Sequence, residues 1–439
     1  MTLFSDLTKI RKFKNLYELP RSVQSKSCKI SKSLKLLLLN APCNGFGDLI
    51  FVKKLADYLR YKFKLNVTIA TTAPEKLVML GEKKQYLKKL TGPDGTLVLK
   101  ECRKFYNLRL HNFAGSKKES TDRYDLFFVA PLALDFEPDL SDIKPLAPSA
   151  TKFNTFFFSE YNDSLKKDFD FMTGVGKNRE GLLLQAPAES SMKIESQTKI
   201  NKLVNRSRYG PFALVYIADI NRATSCIQGF LELISKKYNH HKKFQVIIPK
   251  FLYNDSALDN VIENTLVKYW GKIQLRNGTD PKANDDFTGH GKSTLTIRGD
   301  ILPVKNNVML GLIRYSVDDV LLTGDQSISD ALSCCHTKNI FYQIAPWKTD
   351  FGKEMAKAMP NKYLKSTKTS CGNLSAIKYK SNYNDFVKKH NFFKNAYDKI
   401  HQILCMSSKD LDKNSDVHKF IDIVNESRTL AQVKKKFTI

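Results

Sequence analysis

Two glycine-containing turns hold the side chains best suited to chemistry in this sequence of 439 residues. The later turn, Thr323-Gly324-Asp325-Gln326-Ser327-Ile328-Ser329-Asp330, lies between the apolar run Val320-Leu321-Leu322 and a helical pattern. A turn of this kind presents free backbone N–H groups at a helix N-terminus, where they attract phosphate or another anion. Its hydroxyl and amide side chains suit a diphosphate. The sequence therefore predicts an anion-binding loop here.

Two cations could neutralise a diphosphate at this loop. Arg298 ends a predicted strand and is followed by Gly299-Asp300. Its guanidinium would therefore be held in place and could bind a phosphate through two N–H groups. Lys348 follows Pro346-Trp347. The alternative for each of these residues is an ordinary surface position.

The earlier turn reads Asn44-Gly45-Phe46-Gly47-Asp48 and follows the apolar run Leu36-Leu37-Leu38-Leu39. Its glycines permit positive φ and let a ligand approach the backbone closely. The turn lacks the G-x-G-x-x-G spacing of dinucleotide-binding proteins, and the chain lacks the P-loop pattern of nucleoside triphosphatases. Both a ligand-binding loop and a plain strand-to-helix connection remain open for this turn.

The elements around both turns alternate between strand and helix. Residues 34–40 and 66–71 are predicted strands, with a helix from Leu49 between them. A second alternation starts at residue 212 and runs through the later turn to a strand at 340–344. Alternation of this kind predicts α/β domains with mostly parallel sheets. The chain is also longer than a single core usually grows, which favours two domains.

Changes of composition divide the chain into five segments. The predicted organisation is a basic leader at 1–33, a first Rossmann-like domain at 34–185, a polar linker at 186–207, a second Rossmann-like domain at 208–370 and a C-terminal helical segment at 371–439. We expect the last segment to pack back on the first domain. The Gly/Asp/Asn-rich stretch 276–292 is predicted to be a loop.

The charge balance and the cysteine spacing limit the functional classes to which the protein can belong. The formal net charge is +27, from 71 Lys and Arg against 44 Asp and Glu. This excess favours polyanionic partners, nucleic acid or an acidic membrane surface, although a generally solvated basic surface is the simpler interpretation. None of the 8 cysteines forms a C-x-x-C pair, so a zinc ribbon is not expected. No apolar run is long enough to span a bilayer. We therefore expect a cytoplasmic protein.

The layout resembles GT-B-fold glycosyltransferases, especially the branch that includes the peptidoglycan-precursor N-acetylglucosaminyltransferase. That family begins with a strand, a glycine-bearing loop and a helix, as residues 36–49 do here. Its second domain has a strand ending in a basic or polar residue, a proline loop, a short apolar helix, a "D-V-L-L-T-G" strand and a serine-rich turn into a helix. The matching stretches here are Thr294–Arg298, Leu302-Pro303, Val308–Ile313, Asp319–Gly324 and Gln326–Cys335.

The resemblance implies two Rossmann-like domains facing across a cleft, with a nucleotide-diphosphate sugar as co-substrate and no bound cofactor or metal. The acceptor, whose identity is unknown, would meet the earlier turn, where Asp48 is the candidate general base. The chain has Asp330 where the family usually has Glu. The substrate-binding residues that it implies are Asn44, Gly45, Gly47, Arg298, Gly324, Asp325, Gln326, Ser327, Ser329, Asp330 and Lys348.

Two alternative functions stay open at this point. A non-catalytic descendant of the fold could serve as a basic structural or binding protein in a nucleoprotein or virus-like assembly. Direct binding of nucleic acid is a third interpretation, and it predicts affinity that falls steeply with salt.

Overall fold

The computed structural model contains two β-sheets, each covered by helices. The residues that it describes are 29–42, 46–91, 108–113, 120, 122–132, 140–162, 169–184, 194–217, 223–252, 256–278, 285–335, 338–343, 348–358, 364–369, 372–378 and 389–410.

The first sheet has six strands in the order β4-β3-β2-β1-β5-β6. All neighbours are parallel except β3 and β4. Leu36 and Leu38 of β1 join one core cluster, whereas Leu37 and Leu39 join another on the opposite face. A strand buried on both faces explains the continuous apolar run in the sequence. The strands are β1 (Lys35–Asn40), β2 (Asn66–Thr71), β3 (Leu87–Thr91), β4 (Arg109–Asn112), β5 (Leu126–Leu132) and β6 (Thr155–Ser159).

The second sheet has nine strands in the order β10-β9-β11-β8-β7-β12-β13-β15-β14. Its centre is parallel, and β10, β15 and β14 add antiparallel pairings. The strands are β7 (Phe212–Tyr216), β8 (Lys243–Ile247), β9 (Lys272–Arg276), β10 (Asp286–Thr288), β11 (Thr294–Arg298), β12 (Asp319–Thr323), β13 (Asn339–Gln343), β14 (Leu364–Thr369) and β15 (Gly372–Lys378). The prediction of an α/β chain with two Rossmann-like sheets is confirmed.

The helices of the described residues connect and cover these strands. They are α1 (Gly47–Phe63), α2 (Pro74–Met79), α3 (Leu140–Ile143), α4 (Gln197–Leu203), α5 (Arg206–Tyr209), α6 (Ala223–Tyr238), α7 (Ser256–Asn264), α8 (Asn306–Tyr315), α9 (Asp325–Cys334), α10 (Thr349–Ala358), α11 (Phe392–Asn395) and α12 (Tyr397–Asp410). None of the helices among the described residues has the length and apolarity needed to cross a membrane.

Each sheet reverses its direction of winding at one point. From β1 the chain builds outward through β2 and β3, and it then returns to place β5 on the other side of β1. In the second sheet it builds from β7 towards β9 and returns to place β12 beside β7. In open α/β sheets, ligands bind at the carboxyl ends of the strands at such a switch point. The two glycine turns follow β1 and β12, so both lie at switch points.

The helices that follow the two switch points bring the halves of the chain together. One buried apolar cluster includes Leu55 of α1 and Phe158 of β6 together with Leu322 of β12 and Ile328 of α9. The two sheets therefore share a core along α1 and α9.

The C-terminal helices pack on the first half, as expected for this segment. The ring of Phe393 stacks on Tyr58 of α1 at 4.3 Å between centroids, and the Tyr58 hydroxyl donates a hydrogen bond to the Phe393 carbonyl. Tyr397 stacks on Phe63 at 5.5 Å. These contacts cover the face of α1 near its C-terminal end.

Three segments differ from the expectations. Residues 372–378 form strand β15, which pairs with β13 and β14, although the sequence predicted helix from residue 371. The stretch predicted as a linker includes α4 and α5, and Ile200 of α4 is fully buried. The predicted loop 276–292 contains the short strand β10. The leader up to residue 28 and the tail from 411 lie outside the described residues, as does the run 96–99 that resembles a strand in the sequence.

We expect Phe393→Ala to lower the free energy of unfolding by about 3–5 kcal/mol, because a phenylalanine that is 7% exposed loses its contacts and leaves a cavity. Urea unfolding followed by tryptophan fluorescence and circular dichroism measures the change. Met79→Ala is the control, because Met79 is 56% exposed and its loss should change stability by less than about 0.5 kcal/mol. Equal stability of the two variants would contradict the packing of α11 on α1.

Candidate functional site

The later glycine turn forms the start of α9 at the carboxyl end of β12. Gly324 is exposed and has φ of +81°, a backbone conformation that side-chain-bearing residues rarely adopt. Ile328 N donates to Gly324 O at 3.3 Å, which closes the first turn of the helix. The N–H groups of the first turn have no partner within the helix itself, so this turn has the geometry of an anion site.

Lys348 lies beside this turn and connects the two halves of the chain. Its Nζ is 2.7 Å from Asp325 Oδ2 and 2.6 Å from Glu160 Oε2, which directly follows β6 of the first sheet. Burial alone would lower the pKa of Lys348. The negative charges of Asp325 and Glu160 have a larger and opposite effect, so the pKa of Lys348 lies above its ordinary value. Burial raises the pKa of Asp325, an effect that Lys348 opposes. Lys348 is therefore a charged ammonium held between two carboxyl groups.

A second ion pair joins α1 to α9. Lys54 Nζ lies 2.5 Å from Asp330 Oδ1, and both side chains are 5% exposed or less. The same ammonium lies 3.4 Å from the carbonyl of Leu183. Burial raises the pKa of Asp330, and the Lys54 charge partly offsets that increase. Asp330 therefore serves the contact between the halves and does not face solvent.

Tyr161 contacts residues that lie next to the buried ion pair of Lys54 and Asp330. Its hydroxyl is 3.1 Å from Ser329 Oγ and accepts a hydrogen bond from Leu183 N at 2.7 Å. Ser329 is fully buried, and its Oγ also lies 2.8 Å from the carbonyl of Asp325. Burial raises the pKa of Tyr161, so this hydroxyl keeps its proton. The buried side of the turn is thus filled by Tyr161, and the exposed side begins at Gly324 and half-buried Ser327.

Three acceptor oxygens near this edge are buried without a hydrogen-bond partner among the described residues. They are Asp325 Oδ1, Gln326 Oε1 and Gln343 Oε1. Gln343 ends β13 and is the register partner of Thr323 at the end of β12. Unsatisfied buried acceptors cost free energy, so these oxygens suit a donor such as a hydroxyl, an N–H group or water.

Arg298 lies away from this turn and already has a carboxylate partner. It ends β11, which is separated from β12 by β8 and β7. Its Nε and Nη2 contact the two oxygens of Asp300 at 2.6 and 2.7 Å, a bidentate pair. The guanidinium also lies 4.7 Å above the ring of Tyr209. The structure does not bring Arg298 together with the turn at 323–330.

The earlier turn lies at the switch point of the first sheet. Asn40, the last residue of β1, donates from Nδ2 to the carbonyl of Ala130 on β5 at 3.0 Å, which ties the two strands together. Gly47 begins α1, is exposed and has nothing within 4 Å of an added Cβ. Asp48 lies in the first turn of α1 and is half-buried. Asn44 and Gly45 lie outside the described residues.

The sequence does not predict three residues of the site, namely Lys54, Glu160 and Tyr161. Lys54 has a weak signal, because it lies among the apolar residues of α1 and just before the predicted buried pair Leu55-Ala56. Glu160 and Tyr161 follow a predicted strand of the first domain at its carboxyl end. That position is where parallel strands present side chains to a cleft.

Among the described residues, no group of three or more His, Cys, Asp or Glu side chains is placed to hold a metal ion.

Neither a protein-family model nor a curated protein matches the chain. A solved structure from Listeria monocytogenes, described as a UDP-N-acetylglucosamine 2-epimerase, is 9% identical, with 74% of this chain and 87% of its own covered at a TM-score of 0.38. A glycosyl transferase family 9 protein from Veillonella parvula DSM 2008 is 9% identical, with 76% and 93% covered at 0.36. An α-glucosyltransferase solved with UDP and DNA is 10% identical, with 85% and 99% covered at 0.35. The chain's own strand order establishes its two-sheet architecture.

We expect Lys54→Met to lower the free energy of unfolding by about 3–5 kcal/mol at pH 7, because it leaves Asp330 buried without its ion pair. The folded-state pKa of Asp330 already lies above 3.8, and stability falls as pH rises from that value through the folded pKa. Loss of Lys54 raises the folded pKa further, so acidification towards pH 5 should recover part of the deficit. Urea unfolding of the variant and the wild type at several pH values measures the difference in their free energies of unfolding.

Lys53→Met is the matched control on the same helix. Lys53 pairs with Asp57 one turn away at 2.7 Å, and such a pair contributes less than about 1 kcal/mol. A deficit of Lys54→Met that equals the control, or that does not shrink on acidification, would contradict the buried pair.

Proposed function

We propose that the chain is a glycosyltransferase that takes a nucleotide-diphosphate sugar as its donor. The observation that carries the proposal is the placement of the two glycine turns. Each turn lies at the switch point of its own sheet, and α1 and α9, the helices that follow them, contact each other through Lys54 and Asp330. Two switch points whose helices contact each other suit a reaction between two ligands, one held by each sheet.

The donor site is the exposed side of the turn at 323–330. The first N–H groups of α9, next to Gly324, would bind the diphosphate at the positive end of the helix. Lys348 would provide the compensating charge, because its ammonium is already held beside Asp325. Arg298 has no part in this site because it ends β11, which β8 and β7 separate from β12.

The acceptor site is the earlier turn, and Asp48 is the general base. In the transfer, an acceptor hydroxyl oxygen forms a bond to the anomeric carbon while the bond from that carbon to the diphosphate breaks. The nucleoside diphosphate leaves with the electron pair, and the hydroxyl proton passes to the Asp48 carboxylate. The start of α9 and Lys348 stabilise the charge on the leaving diphosphate, so that turnover is expected to continue in the presence of EDTA.

Donor binding should raise the melting temperature of the full chain. A ligand at 100 times its dissociation constant adds about 2.7 kcal/mol to the free energy of unfolding. A thermal-shift panel of UDP-, GDP-, TDP- and CMP-linked sugars measures this, and the CMP-linked compounds test whether two phosphates are needed. Ser327→Asp should abolish the shift, because a carboxylate at the start of α9 repels the diphosphate while it favours the helix.

Gln197→Asp is the matched control for this variant, because it places the same charge at the exposed start of α4. It should keep the wild-type response to donors. Loss of the response in both variants, or in neither, would contradict the placement of the donor site.

Asp48→Asn should lower the rate of nucleoside-diphosphate release by about 10²- to 10⁴-fold, the usual contribution of a general base. The donor-induced thermal shift should persist, because Asp48 contacts the acceptor and not the donor. The measurement is turnover with the donor that gives the largest shift and a panel of glycan acceptors. Unchanged turnover would remove Asp48 from the role of base.

A second candidate is a non-catalytic binding or structural protein on the same fold. The observation that favours it is the filling of the buried side of the turn. Lys348 is shared between Asp325 and Glu160, and Tyr161 contacts Ser329, so these polar groups already stabilise the contact between the halves. This candidate predicts no thermal shift with any donor and no release of nucleoside diphosphate.

A further inference from the structure

The amino ends of three neighbouring strands in the second sheet form a basic face. We define the amino-edge face as residues 236–243, 267–272 and 288–294. Lys243, Thr294 and Lys272 are register partners at the starts of β8, β11 and β9. Ser293 Oγ donates to the carbonyl of Asn239 at 2.8 Å, and His290 N donates to the carbonyl of Val267. The three segments therefore form one continuous surface.

This face carries lysines and no acidic residue. Its lysines are Lys236, Lys237, Lys242, Lys243, Lys268, Lys272 and Lys292, and all of them are exposed. Three have carboxylate partners outside the face, namely Lys236 with Glu232, Lys237 with Asp319 and Lys272 with Asp286. The other four have no ion pair with any described residue. A cluster of uncompensated lysines attracts a polyanion.

A column of aromatic rings supports an exposed imidazole within the same face. The ring of His240 is exposed and lies 4.2 Å from that of His241. His241 stacks on Tyr238 at 6.2 Å and on Phe244 at 6.0 Å, and Phe244 stacks on the buried ring of Trp270 at 6.0 Å. The exposed ring of His240 therefore lies against a series of rings that ends in the core, an arrangement that suits stacking of a further flat ring.

The loop that borders this column is held tightly against its neighbour. Gly289 and Gly291 lie on the segment 267–271, because an added Cβ would meet backbone oxygens of Trp270 and Tyr269 at 2.2 Å. The stretch Gly291-Lys292-Ser293-Thr294 leads into strand β11 and not into a helix, so it lacks the geometry of a P-loop. Lys292 is thus presented from a fixed backbone on the basic face.

We propose that the amino-edge face binds single-stranded nucleic acid. The lysines contact the phosphate backbone, and His240 stacks on a base, the combination by which proteins bind single strands without sequence preference. An acidic membrane surface would use the lysines alone and leaves the ring column without a role. The proposal is independent of glycosyl transfer, because the face lies at the amino ends of the strands, whereas the later glycine turn lies at the carboxyl end of the same sheet.

Fluorescence anisotropy of the full chain with 20-nucleotide oligothymidylate and oligouridylate tests the proposal, and the two probes compare DNA with RNA. Four phosphate contacts give a slope of about −3 for the logarithm of the association constant against that of salt concentration. The double variant Lys242→Gln/Lys243→Gln removes two of these contacts. The slope should become shallower, about −1.4, and binding should weaken roughly 25-fold at 0.1 M salt. Lys268→Gln/Lys292→Gln should do the same, which guards against misfolding of one variant.

Lys83→Gln/Lys84→Gln is the matched control, because it removes the same charge from two exposed lysines of the first half. Its affinity should stay within about twofold of the wild type if the face binds the strand. An equal loss in the control would show binding by net charge and overturn the proposal. The absence of oligonucleotide binding, or binding only to vesicles that contain phosphatidylserine, would overturn it as well.

His240→Ala tests the ring column separately from the lysines. It should weaken binding of oligothymidylate roughly fivefold or more, because base stacking on an aromatic ring is lost. An abasic strand of the same length should bind the variant and the wild type equally. Equal weakening with both strands, or tighter binding of a duplex than of either single strand, would overturn the assignment of a single-stranded partner.

Discussion

The contact between α1 and α9 is the constraint on which the arrangement of both turns depends. Each helix starts at the switch point of its own sheet, and Lys54 and Asp330 fix the two helices side by side. A buried ion pair is rarely more stabilising than apolar side chains of the same size, but it tolerates little change of alignment. We therefore interpret the pair as a device for register between the halves. Because that register is fixed, the helix starts at Gly47 and Gly324 keep a fixed placement relative to each other.

The sequence predicts the central strands of both sheets well because these strands are buried on both faces. Leu36 to Leu39 and Val320 to Leu322 are continuous apolar runs, and the glycine turns after them mark the strand ends. The sequence predicts β14 and β15 poorly, because their Lys-, Ser- and Thr-rich stretches carry no apolar run and their pairing depends on β13. Lys54 could be recognised as unusual within an apolar helix face, but its partner lies in the other half of the chain. Contacts of that kind are set by tertiary packing and leave no local pattern.

The same limit explains the different outcomes for Arg298 and Lys348. Both residues have the charge that a diphosphate requires, and residue type alone cannot show whether a cation is already neutralised. Asp300, two residues after Arg298, forms a bidentate pair with it and holds it at the end of β11. Lys348 also has carboxylate partners, but one of them is Asp325 at the start of α9. An anion arriving at that helix start would lie within reach of the ammonium, so that Asp325 and the anion would compete for one cation.

The polarity of a parallel sheet separates two kinds of anion chemistry on this protein. Helices that enter from the carboxyl edge begin there, and their free N–H groups favour a small anion. Helices that return to the amino edge end there, and cations in their last turn are favourable, as Lys236 and Lys237 of α6 illustrate. Basic side chains therefore accumulate at the amino edge for a structural reason, before any partner is considered. The five-residue central strands keep the two edges roughly 16 Å apart, so a nucleotide sugar at one edge and a polynucleotide at the other would not compete for the same groups.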